Sequence, residues 1–427
     1  MSPGFSPRAL RSAGVVCVVA VLAVATGCTS DADLAGGDTA GSQPAEPVEL
    51  TIAPQDGASE VAPDTPITVT ADNGTISDVT VTGPEEADPD SVDAITGTLS
   101  EDETEWTSDW TLTPGTEFTV TATGESEAGE TTEVVSSFST LTATEGKRLE
   151  LKANTPVSDT EVGVGMPVMV EFDYPVQNKA AVEAAMEVTS EKPAQGAWNW
   201  FSDKRLVFRT KEYWEPFQKV TVDMHLAGVE AADGVYGIEN HRLEFTVGRS
   251  QISNIDEDNS HMTVERGGQQ VKEFPVSLGR ATTHEYTTTS GTHLTMSRET
   301  DFRMSNGTLG VPEDDPEYYD IEVDYGVRIS WSGEYLHSMP SNNQLGEANT
   351  SHGCINMSLE GARWFYQNTL LGDPVVITGT DRILPVENGW GYWQRSWEDW
   401  VANSAVGEAD DTTQPGTPGS PHGGNAA

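Results

Sequence analysis

The segment Ser351-His352-Gly353-Cys354-Ile355-Asn356 carries the last of three cysteines in the chain, with an imidazole two residues before the thiol. A thiol attacks a carbonyl as thiolate, and at an ordinary pKa of ~8.5 only a few per cent is ionised at neutral pH. An imidazole that takes the proton and holds an ion pair is expected to lower that value. Two histidines qualify. On an extended segment His352 shares a face with Cys354. His337 lies 17 residues earlier, in "YLHSMP" at the end of an apolar strand, and two adjacent strands joined by the intervening loop would bring its ring to the sulfur. Gly353 lets the backbone approach closely and is expected to turn its N–H, with that of Cys354, toward a developing oxyanion. Asn356 suits the ordering of that turn or of a substrate carbonyl. The set is what a cysteine acyl transferase needs; the plainer reading is a small buried thiol in a turn.

The other cysteines sharpen the choice. Arg8 and Arg11 precede an apolar run from Val15 to Ala25, followed by Thr26-Gly27-Cys28. A short basic region, an apolar stretch of roughly 10 residues and small residues at the end make an export signal, too short for the ~20 residues of a spanning helix. With Ala25 where a leucine is usual, the end resembles a bacterial lipobox, whose cysteine is lipid-modified; ordinary cleavage nearby is the alternative. Cys17 is then discarded with the signal and Cys28 carries lipid, which anchors the protein to the outer face of the membrane. Cys354 is left without a disulfide partner in an oxidising compartment. Charge excludes another class. With 23 Lys and Arg against 68 Asp and Glu, the surface repels nucleic acid and anionic headgroups.

The elements that must position these residues are mainly β. Residues 1–27 are the signal and 28–47 a flexible Ala/Gly/Asp/Ser/Pro tether. Over 48–144, "PITVTADNGTISDVTVTGP" and "WTSDWTLTPGTEFTVTATG" alternate apolar and polar residues between Asn-Gly and Pro-Gly turns, the pattern of an immunoglobulin-like sandwich. A second such unit spans 145–249, with one short helix in "NKAAVEAAMEVTS" where Ala180, Ala184 and Val188 keep helical spacing. Within it Glu230 and Asp233 flank a turn at Gly234 and could hold Ca²⁺, a cation that takes oxygen ligands; a solvated acidic loop is the alternative. A third β-rich unit covers 250–380, with a hairpin at Gly267-Gly268 and a short helix in "SLEGARWFYQNTLL". Over 381–405, Trp390, Trp393, Trp397 and Trp400 fall on one helical face, the spacing of a buried seam. Residues 406–427 read as a disordered tail.

His337-Ser338-x-Pro, a loop, then Ser351-His352-Gly353-Cys354-x-Asn356 resembles the signature of the L,D-transpeptidases with the YkuD catalytic fold. The order of two immunoglobulin-like domains, a YkuD domain and a tryptophan-bearing extension behind a lipoprotein signal is similar to that of mycobacterial and actinobacterial cell-wall members. The His337–Ser351 loop holds 13 residues, one fewer than is usual, so altered rim contacts are expected.

The resemblance implies Cys354 as acylated nucleophile, His337 as general base and then acid, and Ser338 orienting that ring through its main-chain carbonyl. It implies Tyr319 and Met304 on a flap over the donor site, with Ser332, Gly333, Ser351, His352 and Asn356 against substrate. It also aligns a calcium-binding turn with Glu230, Asp233 and Gly234; catalysis itself calls for no cofactor. The partners implied are peptidoglycan stem peptides, a tetrapeptide donor and an acceptor stem, with carbapenems as inhibitors. The flap here is acidic, with Asp320 and Asp324. Two other readings stay open: an L,D-carboxypeptidase that trims tetrapeptide stems with water, and a silent wall-binding scaffold.

Overall fold

The computed structural model describes residues 46–83, 88, 90–414, 416 and 418, so the signal, Cys28 and most of the tether lie outside the described residues. The chain is mainly β, as expected. In the first sandwich, a sheet ordered Glu49–Ala53, Thr68–Asp72, Glu105–Ser108 and Gly97–Leu99 faces one of Gly74–Thr82, Glu117–Ser126 and Thr131–Ser139. Every pairing is antiparallel. Alternation along Glu117–Ser126 sends Phe118, Val120 and Ala122 inward against Ile67, Val69 and Leu112.

Trp110 does not continue a strand. Its ring lies flat on His225 of the second sandwich, centroids 3.8 Å apart and 4° from parallel, while Thr111 donates its hydroxyl to the Ala227 carbonyl at 2.6 Å. An aromatic that alternation assigns to the first core serves instead as the dock between sandwiches.

The second sandwich sets a four-stranded sheet (Thr160–Val162, His241–Val247, Gln218–Met224, Met186–Ser190) against a five-stranded one (Asp410–Asp411, Gln195–Trp200, Arg205–Thr210, Val168–Phe172, Leu151–Thr155). Its helix is Lys179–Ala184, and Val188 belongs to the following strand. The outermost strand corrects the expectation of a wholly disordered tail. Asp410 and Asp411 pair with Gly196 and Gln195, and the Thr412 N–H reaches the Ala194 carbonyl at 3.0 Å. An open sheet edge supplies backbone partners that a polar segment can take without any apolar pattern of its own.

The tryptophan seam is not one helix. Gly391–Gln394 is a single 3₁₀ turn, and Ser396 caps a new helix, Trp397–Val401, by accepting the Asp399 N–H. Trp400 is fully buried, and it packs with Tyr392 and Phe201 in the core of the second sandwich. The guanidinium of Arg209 lies over Trp393, Trp397 and Trp400, 4.6–5.4 Å from their centroids. The chain therefore leaves the third unit and returns to the second.

In the third unit, a six-stranded sheet (Gln269–Pro275, His261–Arg266, Gln251–Asp256, Pro374–Thr378, Thr289–Leu294, Arg382–Ile383) accompanies a four-stranded one (Ser297–Glu299, Gly326–Arg328, Tyr335–Ser338, Ile355–Met357). Helix Leu359–Asn368 buries Ala362 and Phe365 against the smaller sheet and leaves Leu359 exposed. A hairpin of Phe302–Ser305 and Asp320–Val323 projects from it as a flap.

Candidate active site

Tyr335–Ser338 and Ile355–Met357 run parallel, with His337 opposite Asn356. The register places His337 beside the residues that follow Cys354, and both side chains line one cavity of about 330 Å³, with Ser351, His352, Asn356, Met304 and Tyr319. A second cavity of about 520 Å³ meets the same thiol from the side of Ser332 and Gly333, again under Met304 and Tyr319. Every residue of the sequence-derived set around the thiol is thus gathered, apart from Ser338, whose backbone carbonyl meets the His337 ring.

His337 is buried, and its Nδ1 lies 2.9 Å from the Ser338 carbonyl oxygen. A carbonyl only accepts, so Nδ1 carries the hydrogen and Nε2 is left as the basic nitrogen. Burial holds His337 below the usual histidine value, partly offset by that bond. His352 is held differently: its Nε2 lies 3.2 Å from Glu317 Oε2 and its ring sits between Tyr286 and Tyr319. Burial lowers it as well, opposed by Glu317.

Two electrostatic expectations are corrected. Cys354 is partly exposed as a residue, yet desolvation of its sulfur pushes the thiol up to about 12, with the Tyr335 N–H opposing. The resting pair is therefore thiol and neutral imidazole, because enclosure disfavours both charges at once. The Gly353 N–H does not face the cavity; it donates to Ser351 Oγ at 3.0 Å, and that hydroxyl donates to the Cys354 carbonyl at 2.5 Å. Gly353 has φ +124°, open to glycine, and Thr288 Oγ1 donates to its carbonyl at 2.8 Å. Its part is to shape the turn.

Several site residues escaped the sequence reading. Arg280 pairs with Glu317, which reaches back from the flap to the SHGC turn. Glu334 is buried between Gly333 and Tyr335. Asn388, from the extension, braces Ser332: it accepts the Ser332 N–H at 2.8 Å and donates to the Ser332 hydroxyl at 2.9 Å. A carboxylate inside the apolar stretch "ISWSGEYLHS" was the one available signal. The others depend on long-range contact.

The calcium turn brings its three residues together, with part of its oxygen set already engaged. Glu230 Oε1 accepts the Gly234 N–H at 2.9 Å, and the Lys147 ammonium donates to the Asp233 carbonyl at 3.2 Å. A lysine cation thus serves one of the oxygens that the turn could offer calcium.

Fold and site together are those of an enzyme built on a double-sandwich stalk. A family model of the bacterial Ig domain matches residues 58–230, and one of the L,D-transpeptidase catalytic domain matches residues 250–377. L,D-transpeptidase 2 of Mycobacterium tuberculosis is 32% identical over 359 residues, 84% of this chain and 85% of that protein. L,D-transpeptidase 5 of the same species is 32% identical over 365 residues, covering 84% and 77%. Among solved structures, that of an L,D-transpeptidase, LdtMt1, in complex with imipenem is 30% identical, covers 53% of this chain and 98% of that one, and superposes with a TM-score of 0.46. The chain belongs to the L,D-transpeptidase family and is an L,D-transpeptidase enzyme.

Proposed function

We propose that this enzyme forms 3→3 cross-links in peptidoglycan through a thioester on Cys354. The observation that carries the reading is the fixed tautomer of His337, whose Nδ1–H is taken by Ser338 in a cavity shared with the thiol. The sulfur attacks the carbonyl between the third stem residue and the terminal D-Ala as its proton passes to His337 Nε2. The tetrahedral oxyanion is met by the Cys354 N–H, which makes no hydrogen bond among the described residues. Collapse breaks the C–N bond, and the proton on His337 goes to the D-Ala amine that leaves. The side-chain amine of a second stem then attacks the thioester, gives its proton to His337, and the thiol is restored. Two cavities converging on one sulfur suit a donor and an acceptor.

Trimming of stems by water uses the same steps with a different acceptor. Carbapenems should acylate Cys354, and Cys28 should carry lipid that holds the enzyme at the outer face of the membrane. Mass spectrometry of muropeptides after incubation with disaccharide-tetrapeptide tests the reading, with Cys354→Ala alongside. Loss of D-Ala with dimer formation only when the thiol is present supports cross-linking. Tripeptide without dimer gives the trimming enzyme, and no release from either protein sinks both.

A further inference from the structure

Gly333 and Tyr335 lie on the same side of the cavity as the thiol. Cys354 Sγ lies 3.4 Å from the Gly333 carbonyl oxygen, to which the S–H donates, and Tyr335 lines the same cavity, its N–H favouring the ionised sulfur. In an extended segment the carbonyl of residue i−1 and the N–H of residue i+1 point to the same side, so both move with the backbone of the residue between them. That residue is Glu334.

Glu334 is fixed at every polar atom. Its N–H donates to Ser330 Oγ at 3.0 Å and its carbonyl accepts the Ile329 N–H at 3.0 Å. Its carboxylate, 3% exposed with its residue, accepts the Thr289 N–H at 2.7 Å and the Thr289 hydroxyl at 2.8 Å. Because that hydroxyl donates to the carboxylate, its lone pair faces His293 Nε2 at 2.8 Å, which must then carry hydrogen. His293 is itself fully buried, with Nε2 3.7 Å from the carboxylate. Thr289 and His293 belong to the six-stranded sheet, Glu334 to the segment entering the smaller one. Taking a carboxylate out of water is costly, and none of these side chains enters the thioester chemistry.

We infer that Glu334, tied to Thr289 and His293, is a positioning residue that holds the Gly333 carbonyl and the Tyr335 N–H against the Cys354 sulfur. The inference rests on Cys354 being the nucleophile. The carbonyl, by accepting the resting S–H, keeps the sulfur in one rotamer, from which the hydrogen turns to His337 when the proton is transferred; the N–H steadies the charge that then forms. The carboxylate also works against early ionisation, since its charge adds to the burial that raises the thiol. Lining the two cavities with the sulfur are His337, His352, Tyr319 and Tyr335, and in the second also Tyr286, Glu285, Glu299, Arg303, Arg328 and Arg382.

The test uses the full folded domains with Glu334→Gln and the shape-conserving Thr289→Val. Acylation by imipenem is followed by intact mass and absorbance, and alkylation by iodoacetamide as a function of pH. Glu334→Gln should slow acylation at least about 10-fold and move the alkylation midpoint to lower pH, because a negative charge beside the sulfur is gone. Thr289→Val, which keeps the charge but cuts one tether, should slow acylation about 3-fold or more and leave the midpoint nearer the wild type. A residue serving stability alone would lower the melting temperature and leave the midpoint in place. Wild-type acylation and midpoint in folded Glu334→Gln overturn the proposal; if that variant does not fold, wild-type acylation in Thr289→Val does so. Loss of acylation in Cys354→Ala is the separate control on the nucleophile.

Discussion

Glu317 of the flap and His352 of the turn before Cys354 meet at 3.2 Å, Oε2 to Nε2, and Arg280 holds the same carboxylate oxygen. Three segments distant in sequence are thus latched over Cys354 by one exposed side chain.

Removing that latch should loosen the flap without harming the fold. Glu317→Ala is expected to raise the rate of Cys354 labelling by a bulky maleimide several-fold and to change the melting temperature little, as exposed, solvent-screened pairs contribute little to stability. Equal labelling rates would mean that the flap is held elsewhere. Acid should act in the same direction. Arg280 and His352 keep Glu317 below its usual 4.5, so its contribution is present above that value and fades as pH falls through the lower folded one. His352, lowered from 6.5 chiefly by burial, resists protonation in the closed site, so acid that charges it disfavours closure.

The neutral resting pair sets the pH profile. Acylation should be level through neutral pH and fall only below the ordinary histidine value of 6.5, where His337 gains a proton. A rate that instead tracks thiolate content, rising about 10-fold per pH unit through neutrality, would show that free thiolate, not the coupled pair, attacks.

Stability should carry the mark of the thiol on the alkaline side. An unfolded thiol ionises near 9.0 while the folded one waits until about 12, so the unfolded chain loses its proton first and stability declines with pH between those values. By about pH 10 the wild type should have lost about 1 kcal/mol that Cys354→Ser keeps. Paired denaturant melts at neutral and alkaline pH measure the difference, and parallel curves for the two proteins would refute it.

Asp373 joins the second sandwich to the catalytic sheets. It takes both arms of Arg249, at 2.7 and 2.8 Å, with the Leu370 N–H and the Thr369 hydroxyl. Burial still raises its carboxyl, against those partners. Asp373→Ala strands a half-buried guanidinium and should cost about 3–5 kcal/mol, read from denaturant midpoints. A loss below about 1 kcal/mol would mean that water solvates Arg249 in its place.

Calcium should leave the protein unmoved. With Lys147 on the Asp233 carbonyl, millimolar Ca²⁺ is expected to give no rise in melting temperature, whereas Lys147→Ala opens the position. A calcium-dependent rise in the wild type would show that the lysine yields.

The gathering of residues around the thiol was legible because its parts are contiguous: six residues hold the thiol, the glycine and the polar neighbours, and His337 ends a recognisable strand. Sandwich strands such as Glu117–Ser126 were legible because their inner face is apolar at every second position. Glu317 and Arg280 were not, since two charged residues 37 positions apart carry no mark of their meeting. Asp410–Asp411 became a strand through an edge that other residues supply. The thiol was expected to be acidified by its histidine; how completely the pocket would desolvate it depends on Tyr319, Tyr335 and Glu334 closing around it, which no local pattern encodes.

The return of the chain to the second sandwich has a mechanical corollary. After Ile383 the chain braces Ser332 through Asn388, then fastens itself with Trp400 and Asp410 to the same sandwich from which the catalytic sheets set out. The last unit is therefore held at both ends, like a bead clasped on a closed ring instead of hung from a thread. A pull on a substrate strand would be shared between two attachments, and the stalk and the thiol would swing together as one lever.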